Sequence, residues 1–303
     1  MRSRYGCVCG MYSLCVKRWV SKIDHLLIAT LFFTSLHGVE LRIGKGEFQT
    51  SMGIHDFWQM SAKSDIDVIS ISQPRYNLNE TLYLFGTLDI YSSPSMEAVS
   101  QYIDTVMNAT TPFGFTPNTL LGTFVPVPNS YEIEGVDVDI GITKEMIKSR
   151  DYSFGVGVVT GFSTPIMKME NYFEAFNFYA DILDYTQTKL KTYKAGIVLE
   201  GSLNLNESIT LSSKATYAYQ QANLTNSIMQ FDSDGKHRTF ETNVQYTPKS
   251  LKNIYLNAGY SYKDWQVDSM QGAIMGISTP NVSAVVDIEL SSRYGYVGIG
   301  YKF

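Results

Sequence analysis

Beyond position 38, apolar and polar residues alternate with a period of two along most of the chain. That is the repeat of strands with one apolar and one wet face. In Thr81–Tyr91, Leu82, Leu84, Leu88 and Ile90 share one side, and Tyr83, Phe85, Thr87, Asp89 and Tyr91 the other. Val136–Ile142 sets Val136, Val138, Ile140 and Ile142 against Asp137, Asp139 and Gly141. Ala195–Leu205, Ile209–Gln220, Phe240–Tyr246 and Ile254–Lys263 repeat the pattern. The alternation predicts ten strands, near 39–50, 65–74, 80–92, 130–143, 151–163, 188–205, 208–224, 236–248, 252–268 and 285–303. Glu170–Tyr185 reads equally as a helix or as two further strands, for twelve at most.

Many of these strands exceed the 5–6 residues common in soluble sheets. Their connections alternate in length. Arg75–Asn79, Lys144–Arg150, Asn204–Ser208 and Pro248–Lys252 are short, whereas Gly53–Ser64, Ser93–Asn129, Thr164–Thr186, Gln221–Gly235 and Ser269–Pro280 are long. One end of tight turns and one of long loops is the plan of an all-β, antiparallel, up-and-down transmembrane barrel. An even strand count places both termini at the tight-turn end. Within the second long connection, Met96, Val99, Ile103, Val106 and Met107 form a helical stripe, predicting a short helix over Ser95–Ala109.

The first 38 residues follow a different pattern. Lys17, Arg18 and Lys22 precede an 11-residue apolar run, Leu26–Leu36, followed by Gly38. The run is too short for a membrane-spanning helix, which needs about 20 residues. A basic segment, a short apolar core and a small-residue exit predict a secretory signal peptide over 1–38, exported through the Sec pathway. Residues 39–303 then form a single barrel domain. All three cysteines, Cys7, Cys9 and Cys15, precede the cut, so the barrel is expected to hold no disulfide. Among 303 residues, 17% are charged and 13% aromatic, with 21 Tyr. A mean hydropathy of −0.08 excludes a bundle of transmembrane helices, and a pI near 5.4 does not suit a nucleic-acid binder.

The chain ends Gly295-Tyr-Val-Gly-Ile-Gly-Tyr-Lys-Phe303. A terminal Phe303 with Val297, Ile299 and Tyr301 at alternate positions before it resembles the C-terminal assembly signal of Gram-negative outer-membrane β-barrels. The resemblance implies outer-membrane lipid and lipopolysaccharide as surroundings, and periplasmic chaperones and the barrel assembly machinery as partners. Alternation slips between Ile288/Leu290 and Val297/Ile299, which predicts a bulge near Ser291–Arg293.

Chemistry-bearing residues are few. The inward face is expected to carry Asp89, Asp137, Asp139, Glu200, Glu241 and Asp287 against Lys194, Lys214, Lys263 and Arg293. Asp89, Asp137, Asp139, Glu200, Lys214, Glu241 and Lys263 are the candidate lumen residues for ion selectivity, with Asp137 and Asp139 the most acidic point. Glycines at 155, 157, 161, 196, 298 and 300 suggest a narrow opening. The expected function is a narrow, porin-like channel for small hydrophilic solutes, not an enzyme and without cofactor or metal. A non-conducting structural or adhesive barrel is the alternative. A third reading follows from Asp232-Ser-Asp234-Gly-Lys-His237, which resembles the Asp/His pairs of omptin proteases and implies a hydrolase at the outer rim.

Overall fold

The computed structural model describes residues 38–54, 58–94, 96–102, 125–171, 187–225, 229–251, 253–274 and 284–302. Residues 1–37, which hold nearly all of the expected signal peptide, Phe303 and most of the second and third long connections lie outside the described residues.

Among the described residues, twelve strands form in chain order: β1 Val39–Ile54, β2 Trp58–Asn77, β3 Leu82–Ser92, β4 Met96–Tyr102, β5 Val125–Lys148, β6 Tyr152–Ser163, β7 Ile166–Asn171, β8 Gln187–Asn204, β9 Ile209–Thr225, β10 Met229–Tyr246, β11 Ile254–Ile274 and β12 Ala284–Tyr301. Every pairing is antiparallel. Ten of the strands close a barrel, with β1 joining β12 on one side and β2 on the other. The remaining two prolong existing staves. β4 continues β3 between β2 and β5, and β7 continues β6 between β5 and β8. The breaks are pinned: Ser93 N donates to Ile133 O, Thr164 N donates to Val136 O, and Ser93 Oγ accepts from Ile133 N.

The helix expected over Ser95–Ala109 is not observed, since Met96–Tyr102 is strand; residues 103–109 lie outside the described residues. The reason is lateral. β2 and β5 both extend past the end of β3, and only a strand between them satisfies their edge groups.

At the tight-turn end, two reverse turns share one chemistry. Asn79 Oδ1 accepts from Thr81 N and Leu82 N, and Asn206 Oδ1 accepts from Ser208 N and Ile209 N. The Asn side chain supplies an acceptor that the turning backbone lacks. The long loops, by contrast, shrink. β1 and β2 stay paired to Ile54 and Trp58, β9 runs to Thr225, and β11 runs to Ile274.

What turns these predicted loops into strand is an exchange of faces partway up the wall. Near the turns the outer face is apolar, carrying Ile43, Val158, Ile197, Leu199, Phe240, Leu256 and Val297. Tyrosines bound this belt, with Tyr152, Tyr246 and Tyr301 below and Tyr193, Tyr217, Tyr219, Tyr260 and Tyr262 above. Higher up, the outer face becomes charged, with Lys45 paired to Asp67, and Lys63 and Arg293 both on Glu47. Hydrogen bonds from Lys63 and Arg293 hold the Glu47 carboxyl below its usual range. The inner face changes the opposite way, from Asn257, Ser261 and Lys263 to Trp265 and Val267 along β11.

This exchange accounts for the slip in β12. Ile288 and Leu290 point inward and Val297 and Ile299 outward, without any shift in the β1–β12 register. The predicted bulge at Ser291–Arg293 is therefore absent. Irregularities fall instead at Gln73/Tyr76, Glu145/Ile147, Asp232/Gly235 and Val267/Met270. Arg293 and Asp287, expected inside, lie on the outer face.

Inward glycines do not open the lumen as the sequence suggested. Of those the sequence singles out, Gly300 lies under the Tyr255 ring, Gly298 lies against Asn257 and Arg42, Gly161 against Asp139 and Lys194, and Gly155 against Thr143; Gly135, Gly141 and Gly259 likewise lie under the rings of Tyr91, Phe85 and Tyr296. Gly300→Val is expected to lower stability by about 1–3 kcal/mol, because the new side chain strikes the Tyr255 ring. Gly295→Val, where an added Cβ meets nothing nearer than 3.8 Å, should be neutral. Urea unfolding of the two variants from lipid vesicles checks this, and equal costs would contradict it.

Candidate functional site

Three layers fill the interior from the turn end upward. The lowest is a polar vestibule of about 760 Å³. Gly38, Arg75, Asn77, Tyr301 and Lys302 at its edge belong to strand ends and turns, so it opens at the end where β1 begins and β12 finishes. Glu200, Lys214 and Glu241 sit opposite one another on β8, β9 and β10 and line it. Glu200 accepts from Tyr83 OH at 2.5 Å. Glu241 accepts from Arg42 and from Tyr296 OH, both at 2.7 Å, and Lys214 lies 4.0 Å away. Lys214 Nζ also lies over the Phe85 ring. Arg42 makes a second ion pair with Glu40, which takes hydrogen bonds from Tyr255 and Asn257 as well.

The middle layer is a buried ionic cluster. Asp137 on β5 is its hub, with Lys194 Nζ at 2.8 Å on one oxygen and Lys263 Nζ on the other. Ser163 Oγ donates to it too, and Trp265 Nε1 donates in turn to Ser163 Oγ at 3.1 Å. Asp89 receives Lys263 Nζ at 2.5 Å and Tyr294 OH at 2.8 Å. Asp139 meets Lys194 Nζ at 2.8 Å. His237 Nε2 lies 3.0 Å from the same ammonium, and the ring is fully buried against Trp265.

Asp137, Asp139 and His237 bring their ligating atoms within 4.8 Å of one another, a spacing that suits a cation. Lys194 Nζ already stands in contact with all three, so the side-chain ammonium supplies the positive charge there.

Above the cluster is an apolar layer. Phe48 stacks on Tyr91 at 5.6 Å and on Trp265 at 6.1 Å, and Ile133, Ile288 and Leu290 pack around them. Among the described residues the vestibule does not continue through this layer.

All seven candidate lumen residues thus lie inside the barrel but in two separate groups: Asp89, Asp137, Asp139 and Lys263 in the cluster, and Glu200, Lys214 and Glu241 around the vestibule. Val297, Ile299 and Tyr301 of the C-terminal pattern are exposed on the outer belt. His237, which the sequence sets at the start of a strand beside a long loop, lies well within β10 and faces inward. Asp232 and Asp234 point outward, with Asp232 held by Asn223, and do not approach it. His237 shares the parity of Glu241 along β10, so continuing the strand upward by two steps of two would have placed it inside. Ser163, Trp265 and Tyr294 carry no such signal, because each looks like an ordinary wall residue.

No protein-family model matches the chain, and no curated protein matches it in sequence. Solved structures do. The outer-membrane protease OmpT of Escherichia coli aligns over 88% of this chain and 97% of its own, with a TM-score of 0.56 and 14% identity. A Pseudomonas aeruginosa FadL homologue aligns over 88% and 90% with a TM-score of 0.32 and 8% identity. The Neisserial surface protein NspA aligns over 87% and 97% with a TM-score of 0.28 and 13% identity. At such identities the likeness concerns architecture alone: the chain has the fold of the outer-membrane β-barrels.

Proposed function

We propose that the protein is an outer-membrane barrel with a sealed lumen, acting through the surface it presents rather than by passing solute or by catalysis. The observation that carries this reading is the stack of ionic cluster and aromatic layer across the interior. Ten strands fall between eight-stranded barrels filled by side chains and 16-stranded porins with an aqueous channel. Here the upper half follows the filled pattern. In this reading the belt contacts outer-membrane lipid, the charged outer face above it meets lipopolysaccharide, and the last strand is read by the assembly machinery.

Two further readings lose support from the same geometry. A cation-selective passage needs carboxylates whose field reaches the solution, whereas Asp137 and Asp139 are ion-paired with buried ammoniums. A hydrolase needs water between His237 and its carboxylates, and Lys194 Nζ occupies that place.

Planar-bilayer recording tests the proposal. The purified barrel is expected to give no single-channel steps, and Phe48→Ala combined with Trp265→Ala is expected to produce them. Steps from the unaltered protein would overturn the sealed-lumen reading.

A further inference from the structure

The turn end of the barrel presents side chains that its reverse turns do not need. Leu78, Met146, Leu205 and Leu251, in the β2–β3, β5–β6, β8–β9 and β10–β11 connections or beside them, are 48–60% exposed. Asn79 and Asn206 close two of these turns, so the leucines there serve no turn geometry. Leu205 instead prolongs an outward apolar row on β8 that includes Ile197, Leu199 and Leu203.

On β5 the outward row is Val136, Val138, Ile140, Ile142, Lys144 and Met146. With a rise of about 3.3 Å per residue and a tilt near 40°, Val136 to Met146 spans roughly 25 Å, the height of a lipid-facing band. Lys144 therefore stands inside the lower edge of the belt, opposite Leu82 on β3 and Val156 on β6. A lysine stem packs against such residues while its ammonium reaches for the polar edge of the membrane. Other cations of this end have partners in the protein: Arg75 and Lys148 share Glu145, and Lys249 lies on Glu207. Lys144 and Arg150, both of the β5–β6 connection, have no ion-pair partner among the described residues, although the chain as a whole carries a net charge of −5. Arg150 stands just before Tyr152, one of the lower tyrosines.

Resting on the reading that the belt meets lipid, we infer that the outer edge of the β5–β6 turn binds the headgroup phosphate of an anionic phospholipid in the leaflet at the turn end. Lys144 reaches the phosphate from the belt side and Arg150 from the turn side, and Met146 and Ile147 pack against the lipid beside them. Apolar residues flanked by free cations are the composition that holds to anionic membrane surfaces. A zwitterionic lipid offers the same phosphate but brings its own cation, which two protein cations repel. An acidic peptide would satisfy the charges yet gain nothing from a cation set among lipid-facing residues.

Native mass spectrometry of the full barrel, released from detergent micelles holding equal amounts of phosphatidylglycerol and phosphatidylcholine, tests this. The first bound lipid is expected to favour phosphatidylglycerol by about fivefold, the effect of one cation at an anionic surface. Lys144→Gln combined with Arg150→Gln should bring the two lipids to parity. Lys144→Arg should keep the preference, and so should Lys191→Gln, which lies above the upper tyrosines. Heat-dependent gel mobility shows that each variant is folded. Parity in the unaltered protein, a preference that survives the double substitution, or displacement of phosphatidylglycerol by an equimolar acidic peptide, tetraglutamate, would each overturn the inference. A barrel that retains neither lipid would overturn the belt reading and this inference with it.

Discussion

Asp137→Leu is expected to destabilise the barrel by about 3–5 kcal/mol, the range for breaking a buried ion pair by removing one partner. The cost does not come from lost packing, since leucine branches as aspartate does and is the larger of the two. It comes from Lys194 and Lys263, whose side chains are only 1% and 8% exposed. Lys263 would keep Asp89, and Lys194 would keep Asp139, so each ion retains half of its present neutralisation. Adding Lys194→Met to the same chain removes one stranded charge and should return part of the loss, because an apolar replacement of a buried ionic group is often neutral. Urea unfolding from vesicles, followed through Trp265 fluorescence, measures both. A loss of under about 1 kcal/mol in the single variant would mean that the cluster is hydrated and does not close the lumen.

A four-variant series along β8 tests the exchange of faces with comparably large effects. Leu199→Lys places a charge on the outer belt and should cost about 2–4 kcal/mol at the bilayer midplane. Leu190→Lys places one on the inner face of the apolar layer, where the residue is 3% exposed, and should cost at least as much. Ser202→Lys, facing the vestibule, and Lys191→Leu, on the outer face above the belt, should change little. The two costly sites have opposite orientations on the same strand. If Leu190→Lys proves harmless, the upper interior is wet and the layering described here is wrong.

How far the sequence foretold this structure depends on position along each strand. Below the upper tyrosines, alternation places residues correctly: Leu82 and Leu84 against Tyr83 and Phe85, and Val136 and Val138 against Asp137 and Asp139. Above them the same alternation persists with its meaning reversed, apolar inside and polar outside. Alternation therefore points a polar residue such as Arg293 into the lumen and makes stretches such as Gly53–Ser64 look like loop. Alternation alone reports which residues share a face and not which face meets lipid. The grouping of the site was less legible still. Asp137, Lys194, His237 and Lys263 come from β5, β8, β10 and β11, and only barrel closure brings them together. Lys194 has no local feature to distinguish it from Lys191, three residues away and outside.

The hydrogen-bonded wall above the upper tyrosines fixes a stand-off distance. On β10, Lys236 pairs with Tyr219, and the seven residues from Met229 to Gly235 lie beyond it, their pairing with β9 continuing to Gln230. With a rise of about 3.3 Å per residue and a tilt near 40°, the rim stands roughly 18 Å from the edge of the belt. A ladder of this kind transmits force and orientation where a flexible tether would not. Whatever meets the rim therefore does so at a set height and angle, clear of the headgroups, and a large rigid body can seat there without touching the bilayer. Shortening the hairpins in matched steps of two residues would lower that platform while leaving the membrane-embedded wall and its buried ionic cluster as they are.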